Sequence, residues 1–197
     1  PNAGKSTLMN ALVGEKMAII TPKAQTTRHR IIGIANEEDY QIVFSDTPGI
    51  IKPNYKLQET MMHAVEDSLQ DADILVFVTD INEKHDEQDV LDKITNSSAP
   101  LMVVINKIDE SNQAEVEAKI AYWKEKLNPD AIIGTSALHQ YNIEQVMEFI
   151  INKLPVHPPY YEKDELTTKT ERFFVSEMVR EKIFKFYKKE VSSIIPK

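Results

Sequence analysis

Pro1-Asn2-Ala3-Gly4-Lys5-Ser6-Thr7, which opens the chain, matches the second half of the phosphate-loop pattern G-x-x-x-x-G-K-[ST]. In such a loop the glycine lets backbone amides close around a β-phosphate, and the lysine ammonium reaches the β- and γ-phosphate oxygens. The hydroxyl after the lysine binds magnesium, and the first amides of the following helix favour an anion. The stretch therefore predicts a nucleotide site built on Asn2, Ala3, Gly4, Lys5, Ser6 and Thr7. The alternative is a solvated helix start.

The complete phosphate-loop pattern extends further towards the N-terminus. Its first glycine is expected two residues before Pro1, with a β-strand ahead of it. Without that strand, two neighbouring strands of the sheet would lack a partner. We therefore expect at least about ten residues to precede Pro1 in the native protein.

A second motif, Asp46-Thr47-Pro48-Gly49, follows the alternating apolar residues Tyr40, Ile42 and Phe44, which predict a strand ending at Asp46. An acid at a strand end is suited to support magnesium through bound water, and the Gly49 amide is placed to meet a γ-phosphate. Alone, this motif is also an ordinary turn sequence. Its position about 40 residues after a phosphate loop favours the nucleotide interpretation.

The motif Asn106-Lys107-Ile108-Asp109, directly after the apolar run Leu101–Ile105, indicates the base. The Asp109 carboxylate can accept hydrogen bonds from guanine N1–H and the 2-amino group, whereas adenine offers neither donor in that arrangement. Asn106 is expected to brace the loops around the base, and the stem of Lys107 to lie along the ring. This motif predicts GTP rather than ATP.

Thr135-Ser136-Ala137 follows a short apolar strand, 131–134. Its backbone, at Ser136 and Ala137, is placed to reach the guanine carbonyl oxygen. Alone, this short motif is weak evidence, and it gains weight from the three motifs before it.

The four motifs, in this order, resemble those of the translation-factor-like P-loop GTPases. Lys23-Ala24-Gln25-Thr26-Thr27-Arg28-His29-Arg30 resembles the switch I region of the Era family, the ribosome-assembly GTPases. The later segments Pro158-Pro159-Tyr160-Tyr161, Glu171-Arg172-Phe173-Phe174 and Arg180-Glu181-Lys182-Ile183 are similar to that family as well. The resemblance runs from residue 1 to about residue 190.

The resemblance implies an α/β fold: a P-loop GTPase domain with a mostly parallel central sheet flanked by helices, followed by an apparently incomplete KH-type RNA-binding domain. We expect a GTPase domain at 1–154 without its first strand, a Pro-rich linker at 155–172, and the start of the KH-like domain at 173–197. Leu154 to Pro159 contain three prolines in five residues, which end a helix. The implied function is GTP hydrolysis in small ribosomal subunit assembly, with binding to its ribosomal RNA.

The same resemblance assigns roles to individual residues. Thr27 is the switch I threonine whose hydroxyl joins magnesium when GTP is bound, so magnesium is expected at Ser6 and Thr27, with Asp46 behind them. Lys5, Thr27 and Gly49 are the expected catalytic groups. Asn2 matches an asparagine that holds potassium in some relatives, and a loop-shaping role is the equal alternative.

Two departures qualify these expectations. Ile50 stands where Ras carries a water-orienting glutamine, and because isoleucine forms no hydrogen bond, intrinsic turnover should be slow. No glycine follows Gly134, so the RNA-clamping G-x-x-G loop of a KH domain does not occur in this sequence. RNA binding by residues 173–197 therefore rests on resemblance.

Composition agrees with a cytoplasmic enzyme. The 197 residues include no cysteine, which excludes disulfides and thiol chemistry. No apolar run approaches the roughly 18 residues of a membrane span, so any membrane contact is expected to be peripheral, at the inner face of the cell membrane. Residues 151–197 hold 10 Lys and Arg against 7 Asp and Glu, within a chain of net charge −8. The first 150 residues are therefore strongly acidic and unsuited to general polyanion binding.

Periodicity predicts alternating strands and helices. Val175, Val179, Ile183 and Tyr187 recur at helical spacing and favour a core-facing stripe. The strands are expected near 29–36, 40–46, 73–79, 100–106 and 131–134, and the helices near 5–13, 57–70, 87–96, 112–127 and 143–153.

Two other functions fit the sequence. One is a guanine-nucleotide-gated scaffold that barely hydrolyses GTP, consistent with Ile50. The other is a tRNA-modification or different ribosome-assembly GTPase of the same superfamily. The segment Gln25–Arg30 and the Pro-Pro-Tyr-Tyr sequence argue against the second.

Overall fold

The computed structural model of the chain describes residues 2–21, 26–49, 56–82, 91, 94–95 and 97–186. Pro1, Ile50 and residues 187–197 lie outside the described residues, as does much of the helix expected at 87–96. Residues 91 and 94–95, inside that range, are helical.

A parallel sheet forms the centre of the chain. It contains β3 (Leu75–Asp80), β4 (Leu101–Asn106) and β5 (Ala131–Gly134), in the order β3-β4-β5. Leu75 lies opposite Leu101, and Met102 opposite Ala131. Every residue of β4 is buried, as expected for an uninterrupted apolar run covered on both faces. The sequence-based expectation of parallel strands is confirmed.

Helices cover both faces of this sheet. Val103 and Ile105 of β4 pack in one cluster with Trp123 of α3 (Gln113–Leu127). Met102 and Val104, which point the other way, pack with α1 (Lys5–Val13) and α4 (Ile143–Lys153). This alternation along β4 produces the layered α/β fold that the sequence predicts.

A separate antiparallel pair precedes the parallel sheet. It consists of β1 (Ile31–Asn36) and β2 (Gln41–Asp46), with Ile31 opposite Asp46. Helix α2 (Lys56–Gln70) follows, and its Met61 is fully buried. For β1 to β5 and α1 to α4, the observed bounds differ from the expected ones by no more than two residues. No bounds were expected for the helix Glu171–Phe186 or for the short helix Ile108–Glu110.

A cavity of about 550 Å³ lies between β2 and β3. Its walls include Ile42 and Phe44 from β2, and Leu75 and Phe77 from β3. Among the described residues, β2 pairs only with β1, and β3 only with β4. The strand expected before residue 1 stays a prediction.

The segment after α4 forms hydrogen bonds to the β1–β2 pair. The Gln41 side chain accepts hydrogen bonds from the amides of Tyr160 and Tyr161, at 2.8 and 3.0 Å, and donates to the Tyr161 carbonyl at 2.9 Å. Further along, Ile34 N–H donates to the Leu166 carbonyl at 2.8 Å. The Pro-rich segment therefore runs along the β1–β2 pair.

The chain then enters α5 (Glu171–Phe186), whose apolar stripe does not face a core. Val175 is 60% exposed and Val179 is 54% exposed, so the expectation that the stripe packs inward is wrong for these two residues. Ile183 is half-buried, and Tyr187 lies outside the described residues.

The buried face of α5 carries Arg180, Glu181 and Phe184. The two charged residues form hydrogen bonds to Thr26 and Lys16, which set the rotation of the helix.

No helix within the described ranges is long and apolar enough to cross a membrane.

Candidate nucleotide site

The phosphate loop leads into α1 through a left-handed glycine. Gly4 has φ 88° and precedes the first residue of the helix. A Cβ added there would lie 2.2 Å from Asn106 Nδ2, and the backbone angle would itself be strained. Glycine is therefore required at this position both by the turn and by the close approach of Asn106.

Asn106, at the end of β4, joins three of the motifs. Its Nδ2 donates to the Ala3 carbonyl at 2.8 Å, and its Oδ1 accepts from the Ala137 amide at 2.9 Å. The Thr135 hydroxyl approaches the same oxygen at 3.3 Å. The side chain is 3% exposed, so these partners satisfy a buried amide. The phosphate loop and the 135–137 loop are therefore held in a fixed relation.

Three oxygens meet beside the phosphate loop. Ser6 Oγ donates to Asp46 Oδ2 at 2.6 Å and lies 3.1 Å from Thr27 Oγ1. Thr27 Oγ1 also donates to Asp46 Oδ2, at 3.3 Å. Ser6 comes from the start of α1, Thr27 from the segment before β1, and Asp46 from the end of β2. Residues from three parts of the sequence thus converge on one point.

The electrostatics at this point favour a cation. Burial raises the pKa of Asp46, while hydrogen bonds from Ser6 and Thr27 and the charge of Lys5 offset part of that effect. The Asp46 carboxylate is 4% exposed, so a positive charge beside it would lower the cost of keeping it ionised.

These groups fit a magnesium ion. Magnesium prefers oxygen ligands and usually keeps several waters and phosphate oxygens in its octahedron, so it needs only one or two groups from the protein. Ser6, Thr27 and Asp46 offer two hydroxyls and a carboxylate, whereas the described residues contain no cluster of three His, Cys, Asp or Glu. These protein groups therefore suit an ion whose remaining ligands are waters and the phosphate oxygens of a nucleotide.

The opposite end of the site carries the residues expected to bind the base. Asp109 lies in a short 3₁₀ helix, Ile108–Glu110, and its side chain is 30% exposed. The Ile108 amide donates to the Thr135 carbonyl at 3.2 Å, which joins this loop to the 135–137 loop. The Ser136 backbone is paired with that of Tyr141, so the loop that carries Ala137 is closed on itself.

Sequence reasoning missed two residues at this end. Asp80, the last residue of β3, accepts a hydrogen bond from the Lys107 ammonium at 2.5 Å. His139 Nε2 lies 3.7 Å from Asp109 Oδ2. Asp80 could have been identified from the sequence, because it ends a parallel strand and lies opposite Asn106 in the register. His139 could not, since it lies in a turn whose sequence follows no recognisable pattern.

The remaining predicted residues are placed at the same edge. Lys5 and Thr7 are half-buried in the first turn of α1, and Gly49 is half-buried just beyond β2. Asn2 is exposed and has a left-handed backbone, φ 68°. The potassium role of Asn2 stays a prediction.

Comparison with known proteins gives consistent matches. Residues 1–107 match the family described as 50S ribosome-binding GTPases. A protein called GTPase Era from Clostridium kluyveri is 39% identical, and the match covers 97% of this chain and 66% of that protein. The chain spans between 46% and 66% of the length of such curated relatives.

Two solved structures are similar over 97% of this chain and 66% of theirs, both at 36% identity. One is a variant of Aquifex aeolicus Era bound to GDP and AlF4⁻, with a TM-score of 0.88. The other is Era in complex with MgGDPNP and nucleotides 1506–1542 of 16S ribosomal RNA, with a TM-score of 0.91.

Proposed function

The chain belongs to the Era-type GTPases, and from that premise we propose that it binds and hydrolyses GTP as a molecular switch. The observation that carries the proposal is the meeting of Ser6, Thr27 and Asp46 beside Lys5 and the phosphate loop. A site for adenine nucleotides would not need an acid at Asp109, where guanine offers two donors.

The residues at the phosphate end would stabilise the charge of the transferring phosphoryl group. The loop amides around Gly4 and the Lys5 ammonium would hold the β- and γ-phosphates. The hydroxyls of Ser6 and Thr27 would bind Mg²⁺, with Asp46 accepting hydrogen bonds from its waters. The ion, when bound, supplies positive charge to the phosphate oxygens.

Switching would follow from contacts that exist only with a γ-phosphate. Thr27 would reach the ion and the Gly49 amide would reach the γ-phosphate, which orders the segments that carry them. Loss of the γ-phosphate would release both segments. Because Ile50 cannot orient the attacking water, we expect intrinsic turnover to be slow.

The base end would select guanine. Asp109 would accept from guanine N1–H and the 2-amino group, and Lys107, held by Asp80, would lie along the ring. The amides of Ser136 and Ala137 already donate to the Tyr141 carbonyl and to Asn106 Oδ1. Contact with the guanine carbonyl oxygen through either amide would therefore share or replace one of these bonds.

We further propose the small ribosomal subunit and its RNA as the partner, in the cytoplasm or at the inner face of the membrane. The support is the similarity to an Era structure that contains a fragment of 16S ribosomal RNA. The description of the broader matching family names the 50S ribosome instead, but that match covers only residues 1–107. The relative with 16S RNA is similar over 97% of the chain and is the better guide.

Single-turnover hydrolysis of GTP, with and without ribosomal subunits, tests this function. We expect slow hydrolysis by the protein alone and faster hydrolysis with small subunits, whereas large subunits at the same concentration serve as the control. A protein that binds GTP tightly but never turns it over, with or without subunits, would be a nucleotide-gated scaffold instead. Stimulation by large subunits alone would contradict the proposed partner.

A further inference from the structure

Two adjacent charged residues on α5 are buried against the GTPase domain. Arg180 is 8% exposed and Glu181 is 3% exposed. Charged side chains are rarely so buried unless they are paired, because removal of a charge from water is strongly unfavourable. Their partners therefore show what this face of the helix contacts.

Glu181 holds the segment that follows α1. Its carboxylate accepts hydrogen bonds from the Lys16 ammonium at 2.7 Å and from the Ile20 amide at 3.4 Å. Lys185, one turn along the helix, adds a third at 3.1 Å. Phe173 and Phe174, from the first turn of α5, pack on the neighbouring apolar cluster formed by Met9, Met17, Ala18 and Ile31.

Arg180 reaches further along the same connection. Its Nη2 donates to the Thr26 carbonyl at 2.8 Å and to Glu177 Oε2 at 2.5 Å. The guanidinium also lies 5.6 Å from the centre of the Phe184 ring, within the range of a cation–π contact. The guanidinium that holds the Thr26 carbonyl is thus itself held by Glu177 and by the Phe184 ring.

The Thr26 carbonyl belongs to the peptide bond that leads into Thr27. The Thr27 hydroxyl lies 3.1 Å from Ser6 Oγ and 3.3 Å from Asp46 Oδ2. Fixing one peptide plane removes backbone freedom that the residue would have in a free chain. The hydroxyl is therefore held near the phosphate end of the site before GTP binds, and less conformational entropy is lost on binding.

We propose that Arg180 is a positioning residue for Thr27: by bonding the Thr26 carbonyl, α5 holds the threonine where GTP-bound magnesium requires it. The proposal deepens the proposed function, since it assumes that Thr27 acts in GTP hydrolysis. It also makes docking of α5 and binding of GTP mutually reinforcing, because coupling between two sites is reciprocal.

A spin label tests the geometry without relying on hydrolysis. The chain has no cysteine, so a single His29→Cys change on this exposed residue carries one nitroxide label. We expect Arg180→Ala to make the label more mobile in nucleotide-free protein. Lys182→Ala, which removes the same charge from an exposed position of the same helix, should leave it unchanged. Equal mobility in wild type and Arg180→Ala would overturn the proposal.

Kinetics on the unlabelled proteins test the consequence. We expect Arg180→Ala to lower the single-turnover rate about tenfold and to leave GDP affinity within about twofold, because Thr27 acts only with the γ-phosphate. In a Thr27→Ala background the same change should have no further effect on the rate. Equal weakening of GDP and GTP binding would indicate a merely structural role and overturn the proposal.

Arg180→Lys keeps the charge but loses the planar guanidinium whose Nη2 donates to both Thr26 and Glu177, so it should give smaller effects in the same direction. It also keeps the test open if Arg180→Ala does not fold. A wild-type protein that does not hydrolyse GTP would refute the proposed function, while label mobility would still decide the role of Arg180.

Discussion

At the scale of single residues, Asn106 shows how one side chain ties the site together. Its side-chain amide donates to the Ala3 carbonyl and accepts from the Ala137 amide, so the phosphate loop and the 135–137 loop share one buried group. Asp109, three residues further on, has a side chain that is 30% exposed, and we propose that its carboxylate contacts the base.

Asp109→Asn should change which base the protein prefers. An amide can donate to the 2-oxo group of xanthine, whereas it cannot replace a carboxylate that accepts from two guanine donors. We expect GTP affinity to fall roughly a hundredfold or more and XTP affinity to rise. Competition binding with the two nucleotides measures this, with Glu110→Gln, an exposed neighbour, as the control. An unchanged preference for GTP would mean that Asp109 does not contact the base.

If Asn2 holds potassium, the rate of GTP hydrolysis should depend on the monovalent cation. Potassium near the β–γ bridge would supply charge much as an arginine does, and sodium is smaller and more tightly hydrated. Hydrolysis should therefore be faster in KCl than in NaCl at equal ionic strength, and Asn2→Ala should abolish the difference while leaving GTP binding largely intact. Steady-state rates in the two salts decide it. A potassium effect that survives Asn2→Ala would reject the role.

Much of the site could be predicted at this scale, because each motif fixes residue type and spacing. The sequence placed Ser6, Asp46 and Asn106 in motifs, and the structure brings them to one edge. His139 could not be predicted, since its approach to Asp109 depends on the path of a turn.

At the scale of secondary-structure elements, α5 is held by its charged face. Burial by itself would raise the pKa of Glu181, but hydrogen bonds from Lys16, Lys185 and the Ile20 amide outweigh it and lower the pKa to about 2. Hydrophobic periodicity could not predict that this charged face is buried, because periodicity assigns the buried face of a helix to its apolar stripe. The burial of Arg180 and Glu181 depends on partners more than 150 residues away in the sequence.

The depressed pKa predicts an acid-sensitive contact. The ordinary pKa of a glutamate carboxyl is 4.5, so ionised Glu181 contributes stability that is fully present above about pH 4.5 and is lost as the pH falls towards 2. The shift corresponds to about 3 kcal/mol. Glu181→Gln should lower the free energy of unfolding at pH 7, and the difference from wild type should shrink below pH 4.5.

Urea unfolding at several pH values measures this difference. Glu125→Gln, at an exposed position of α3, serves as the control and should match wild type throughout. A difference between wild type and Glu181→Gln that stays constant from pH 7 to pH 3 would contradict the assigned hydrogen bonds.

At the scale of the whole molecule, the α/β layering follows from local pattern. β4 is apolar throughout and alternates its side chains between two helical layers, so the parallel core was predictable. The path of residues 155–170 was not, because it depends on Gln41 and on the backbone of β1. Prolines alone indicate where a helix ends and leave open where the chain goes next.

Single-turnover hydrolysis of GTP in the presence of Mg²⁺, measured on wild type, Thr27→Ala and Thr60→Ala, tests whether the chain forms a GTPase site. Thr60 is exposed on α2, outside the site, and makes the same chemical change as the Thr27 variant. We expect GTP but not ATP to be hydrolysed, a rate at least about tenfold lower for Thr27→Ala, and no change for Thr60→Ala. No release of phosphate from GTP by wild type, or equal rates for wild type and Thr27→Ala, would contradict a GTPase site formed by Ser6, Thr27 and Asp46.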